Sequence, residues 1–218
     1  MVPPVGASRA EQWVAGGRNA AAIDLINLLR TLESELEIHM LVGGGVDQIH
    51  FAELSVNSVT LSEKNFQFAH SLLEFTKEQQ PEILLYFGAA SAPLLTKETL
   101  QNSLEQVIRS SDPMAVVNNF HSSDWAILNS PNQISKIIHR LPTDNQLGWV
   151  MENEGGYRVN RLPYSAESRM DIDTPTDLLM LAAHPDLGPA TKEYLSDNIV
   201  EANDRVSEIR KLLMEHAR

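Results

Sequence analysis

Three strings in this chain concentrate residue types able to do chemistry. The first, Asp171-Ile172-Asp173-Thr174-Pro175-Thr176-Asp177-Leu178, places two carboxylates just ahead of a Thr-Pro step. Acids in that position can contact a metal or ligand, or they can accept the free N–H groups of a starting helix. Both roles are open for Asp171 and Asp173, with Thr174 the natural N-cap and Asp177 in the first turn. The second string, Tyr86-Phe87-Gly88-Ala89-Ala90-Ser91-Ala92-Pro93-Leu94-Leu95, leaves an apolar run through small residues. Gly88, Ala89 and Ser91 are candidate ligand contacts, since open α/β sheets bind ligands at their carboxyl edge; a plain strand exit is the other reading. The third string, Asn118-Asn119-Phe120-His121-Ser122-Ser123-Asp124-Trp125, follows another apolar run. It reads as a polar ligand loop using Asn119, His121 and Asp124, with His121 and Asp124 a candidate acid–base pair, or as an ordinary Asx/Ser turn. Arg169 either binds a phosphate or pairs with a nearby acid. Asp144 and Asn145 are expected to cap a helix beginning near Gln146.

The elements that must position these residues follow from apolar spacing. Ala22, Ile23, Ile26, Leu29, Leu32 and Leu36 form one helical stripe over 19–36, with Asn19 as its N-cap. A buried strand, 38–42, then runs into Gly43-Gly44-Gly45. The pattern repeats with a helix over 62–79 and the strand Ile83–Phe87, then a helix over 97–110 and a strand at 114–117. A further strand is expected at 125–128, short helices at 132–141 and 145–154, and an edge strand at 157–162. A helix over 175–183 carries Pro at its first turn. Apolar strands separated by amphipathic helices predict an α/β fold: a three-layer, mostly parallel sheet with helices on both faces. Such a fold usually opens with a buried strand, yet residues 1–18 offer only Val2, Val5 and Trp13-Val14-Ala15. Either that strand lies upstream or the sheet is built differently.

The expected organisation is one domain over 1–186 and a C-terminal helical extension over 187–218. Ile199, Val206, Ile209, Leu212 and Leu213 form a thin stripe in the extension that could pack on the domain or on a second subunit. The net charge is −12, and the 17 Lys and Arg form no run, which argues against nucleic acid or an anionic membrane as partner. The absence of Cys removes disulfides, thiolate nucleophiles and Cys-ligated zinc. With no signal-like N-terminus and no apolar run near the ~20 residues of a membrane span, the chain is expected to be cytoplasmic.

The Asp171–Leu178 string resembles the closing motif of the GT-A-like nucleotidyltransferases, in particular 2-phospholactate guanylyltransferase and molybdenum-cofactor guanylyltransferase. In that family an acidic or amide residue before Thr-Pro sits beside the bound metal. A strand followed by Asp, a small residue, Pro and Leu-Leu marks the principal metal loop, which Tyr86–Leu95 matches except that Ser91 stands in place of the Asp. The family's glycine-rich loop with Arg and Lys is represented only by Gly6-Ala7-Ser8-Arg9, with no Lys before Lys64. Gly16-Gly17-Arg18 matches its second Gly-Gly-Arg turn into a helix. The resemblance covers roughly 16–183. It implies that the chain binds a nucleoside triphosphate with Mg²⁺ at Asp171 and Asp173, and transfers a nucleotidyl group to a small phosphorylated or acidic acceptor. Ser91 keeps open a non-catalytic relative that binds a nucleotide or other small molecule, and the acidic surface with the C-terminal helices over 189–216 keeps open a homodimeric assembly protein.

Overall fold

The computed structural model of the chain describes residues 6–32, 36–43, 56–61, 68–88, 91–198 and Ser207. Ala89, Gly44 and Gly45, the 62–67 part of the expected second helix and the apolar stripe from Ile199 to Leu213 lie outside them.

Helix α1 runs Arg9–Arg30, starting well before the expected Asn19. Ser8 and Glu11 settle its start by reciprocal capping: the Ser8 N–H donates to the Glu11 carboxylate (2.7 Å) and the Glu11 N–H to the Ser8 hydroxyl (3.3 Å). Trp13-Val14-Ala15 is therefore helix and not strand. Gly16 and Gly17 lie inside α1, where each costs about 1 kcal/mol against Ala. A Cβ on Gly16 would fall 2.4 Å from the Tyr194 hydroxyl, and one on Gly17 2.4 Å from a Leu178 methyl. The pair is kept for close packing and does not form the expected turn.

Strands β1 (His39–Gly43) and β2 (Asn57–Leu61) pair in parallel, His39 opposite Asn57. Then follow α2 (Phe68–Gln79), β3 (Ile83–Phe87), α3 (Lys97–Ile108), β4 (Met114–Val117) and β5 (Trp125–Asn129). Two 3₁₀ turns, Pro131–Lys136 and Ile138–Arg140, lead to α4 (Leu147–Asn153) and β6 (Arg158–Arg161). The described chain closes with α5 (Ala166–Arg169), α6 (Pro175–Leu181) and α7 (Pro189–Asn198).

The second sheet has the order β3-β5-β4-β6. The α/β, three-layer expectation holds, but this sheet is mixed: β5 is antiparallel to both neighbours while β4 and β6 are parallel. The link 118–124 between β4 and β5 is shorter than the dozen or so residues a parallel crossover needs, so β5 must turn straight back. Alternation sorts the layers. Ala115, Val117, Ala126 and Leu128 face α2, α4 and the 3₁₀ turns, while Met114, Val116, Trp125 and Ile127 face α1 and α3.

Helix α1 also spans the two groups of strands. Its Leu25 and Leu29 share a core with β3, and its Ala22 and Ile26 share one with Ile38 and Met40 of the β1 region. Helix α7 docks on α1: Asp24 accepts the N–H groups of Ala190 (2.9 Å) and Thr191 (2.8 Å), capping α7 from another helix. The Tyr194 hydroxyl donates to the Trp13 carbonyl (3.0 Å). Among the described residues no helix is long and apolar enough to cross a membrane.

Candidate active site

Strands β3, β4 and β6 run the same way, so Gly88, Asn118 and Leu162 leave the sheet at one edge, where β5 begins. Gly88 donates its N–H to the Asp124 carbonyl (2.9 Å), and a Cβ on Gly88 would fall 3.3 Å from that oxygen. The Ser91 N–H (3.0 Å) and hydroxyl (2.6 Å) both donate to the Gly88 carbonyl. Ala92 follows with φ 60°, a left-handed conformation that a residue with a Cβ rarely adopts. Ser91 and Asp171 are partners in an antiparallel bridge, so the two motifs meet at the sheet's carboxyl edge.

Buried Asn118 ties the third string to this edge. Its side-chain oxygen accepts the N–H groups of Asp124 (3.0 Å) and Trp125 (3.2 Å). Its amide donates to the Asp124 carboxylate (2.8 Å) and to the Ser168 carbonyl (3.2 Å). Asp124 therefore takes Asn118 as its partner, and the acid–base pair with His121 does not form. Exposed His121 lies edge-on to Phe120, ring centroids 4.8 Å apart, and Asn119 serves the turn by accepting the His121 N–H (3.3 Å).

Capping does not explain Asp171 or Asp173. Asp177 does that work, accepting the N–H groups of Asp173 (3.0 Å) and Thr174 (2.6 Å) at the start of α6. Asp173 pairs instead with Arg18 (2.5 Å), whose Nε–H donates to the Ile172 carbonyl. Burial first, then the charges of Asp173, Asp124 and Asp177, push the Asp171 carboxyl up to about 6. Asp124 is raised as well, by burial and by Asp144 and Asp173, with the Asn118 hydrogen bond acting in the opposite direction.

Asp144 leaves the α4 cap to Gln146, which makes no side-chain cap bond. Its carboxylate accepts the Tyr86 hydroxyl (2.6 Å), and burial together with that carboxylate pushes the phenol up. Arg169 forms no ion pair among the described residues; its guanidinium carbon lies 5.1 Å from the Tyr164 ring centroid, and its Nε is buried without an acceptor. Sequence reasoning missed Arg18, Asn118 and Tyr86 as site-shaping residues. Only Asn118, a polar residue directly after a buried strand, carried a readable signal.

Among the described residues no three acidic or histidine side chains converge closely enough to hold a metal ion by themselves. Mg²⁺ does not require that, since one or two carboxylates plus substrate phosphates commonly hold it. The crowding of acids around Asp171 is charge that a cation would relieve, so the residues fit the ion electrostatically.

No protein-family model matches the chain, and no curated protein matches it. Among solved structures it is similar to a cytidylyltransferase from Leptospira borgpetersenii serovar Hardjo-bovis (strain JB197), with a TM-score of 0.57 and 14% identity over 85% of this chain and 84% of that one. The fold is thus nucleotidyltransferase-like.

Proposed function

We propose that the carboxyl edge of the sheet binds a nucleoside triphosphate and transfers its nucleotidyl group to a small phosphorylated or acidic acceptor. The observation that carries this reading is the bridge between Ser91 and Asp171, which joins the small-residue segment to the acid cluster within a nucleotidyltransferase-like fold. Gly88 and Asn118 leave their strands at the carboxyl edge, where open α/β sheets bind ligands. Mg²⁺ held by Asp171 and Asp173 together with those phosphates would neutralise charge on the α-phosphate oxygens. An anionic oxygen of the acceptor's phosphate or carboxylate then bonds to the α-phosphorus as the bond to the leaving pyrophosphate breaks, with no proton to be moved.

Calorimetric titration with ATP, GTP, CTP and UTP in Mg²⁺ tests the binding half: one or more should bind, more weakly to Asp171→Asn, and no binding of any of the four overturns it. A second reading, nucleotide or small-molecule binding without transfer, is favoured by the neutral Ser91 and by the engagement of Asp173 with Arg18. Release of pyrophosphate in the presence of acceptor separates the two.

A further inference from the structure

We propose that Arg18 is a built-in counter-cation of the acid cluster, which a divalent cation must displace from Asp173 in order to occupy the site. Naming that ion as Mg²⁺ rests on the nucleotidyltransferase reading above, whereas the competition for one carboxylate rests on the placement of Arg18 itself. Arg18 follows Gly17 inside α1, and the bare Gly17 lets α1 close on Leu178 of α6, since a Cβ there would fall 2.4 Å from the leucine side chain. The approach carries Arg18 to the segment ahead of α6. Its Nε–H donates to the Ile172 carbonyl (2.5 Å), and its Nη2 pairs with the Asp173 carboxylate (2.5 Å). One planar fork is thus anchored at two neighbouring residues, which a lysine cannot reproduce.

Charge decides what can take the place of the guanidinium. Among the described residues, no Lys and no other Arg forms an ion pair with Asp124, Asp144, Asp171, Asp173 or Asp177. The charge of Asp173 reaches both Asp171 and Asp124, so these acids share one field. A single guanidinium leaves that field negative. The Asp173 side chain is 65% exposed against 21% for Arg18, so an ion from solvent meets the carboxylate while the arginine stays mostly covered. A pair open to water on one side is weak enough to break. A divalent ion brings twice the charge of the guanidinium at the same separation and takes the carboxylate. A monovalent ion brings no more charge than Arg18 and no bond to the Ile172 carbonyl, so it does not. Arg18 therefore holds the 171–173 segment when metal is absent and selects for divalent ions.

The test is a titration of the full chain with MgCl₂ alone, followed by calorimetry and by the NMR signal of the Arg18 Nε–H, beside NaCl at matched ionic strength. Mg²⁺ should shift the Arg18 signal and NaCl should not. Arg18→Gln should bind Mg²⁺ about threefold tighter or more, and Arg18→Lys, which keeps the charge, should gain less. In an Asp173→Asn background the gain from Arg18→Gln should vanish, whereas a general effect of charge would persist there. The proposal is overturned if no Mg²⁺ binds, if bound Mg²⁺ or NaCl moves the Arg18 signal equally, or if the gain survives Asp173→Asn. Unchanged or weaker Mg²⁺ binding by folded Arg18→Gln overturns it too, and should that variant not fold, the Arg18 signal of the natural chain decides. Tighter Mg²⁺ binding by Arg18→Gln in a protein that binds no nucleoside triphosphate leaves the counter-cation standing and removes the nucleotidyltransferase reading. Nucleotide binding with Mg²⁺ affinity indifferent to Arg18 does the reverse.

Discussion

Asp171 is held at an electrostatic disadvantage that sets how the protein responds to pH. Its carboxyl sits at about 6 against 3.8 for an unperturbed aspartate, so the folded state holds a proton between these values that the unfolded chain has released. Stability should therefore fall as pH rises from about 4 to about 6 and then level off. Asp171→Asn should remove that fall and raise the melting temperature at pH 7 by about 2–4 °C, corresponding to about 1 kcal/mol once solvent screening is allowed for. Thermal melts of both proteins across pH 4–7 check this. Ser91→Asp would place a second acid opposite Asp171: metal-free protein should melt lower, and Mg²⁺ should bind about tenfold tighter and restore the loss. Asn118→Ala should cost roughly 2–3 kcal/mol in chemical denaturation, because two N–H groups and a carboxylate lose their partner. The acids were legible because they stand beside predicted strand and helix ends. Arg18 was visible only as the end of the Gly16-Gly17-Arg18 match, and its pairing with Asp173 was not legible because that carboxylate lies 155 residues away.

Where an element carried its own periodicity and punctuation, the sequence reading matched the structure closely. Strand β3 occupies the expected Ile83–Phe87, and α6 begins at Pro175 as its Thr-Pro step requires. The start of α1 was misread because Gly16-Gly17 resembles a break, and only the later chain, through Tyr194 and Leu178, shows why glycine is needed there. The direction of β5 was not legible for a different reason: an apolar run reads alike in parallel and antiparallel sheets, and only the short 118–124 link distinguishes them. Helix α7 depends on a cap supplied by Asp24, and a Cβ on Gly188 would fall 2.3 Å from that carboxylate. Asp24→Ala should lower stability by about 1 kcal/mol in thermal denaturation. Gly188→Ala should lower it as well, by pushing the carboxylate off the N–H groups.

At the scale of the molecule, α1 and the sheet it covers bring together residues that the chain keeps far apart. Gly88 and Ser91 arrive from β3, Asn118 and Asp124 from the β4–β5 link, and Asp171 from the segment ahead of α6. The nucleotidyltransferase-like fold was legible from two motifs in order, since order and spacing survive when individual residues change. Whether the chain transfers a nucleotidyl group was not legible in the same way, because a neutral residue at position 91 removes a carboxylate without breaking the order of the motifs. The nucleotide site proposed at this edge is tested most directly by a crystal structure of the full chain grown with Mg²⁺ and the nucleoside triphosphate that calorimetry selects. The expected result is triphosphate density beside Gly88, Ser91 and Asp171. Nucleotide bound elsewhere on the molecule, with this edge unchanged, would contradict it.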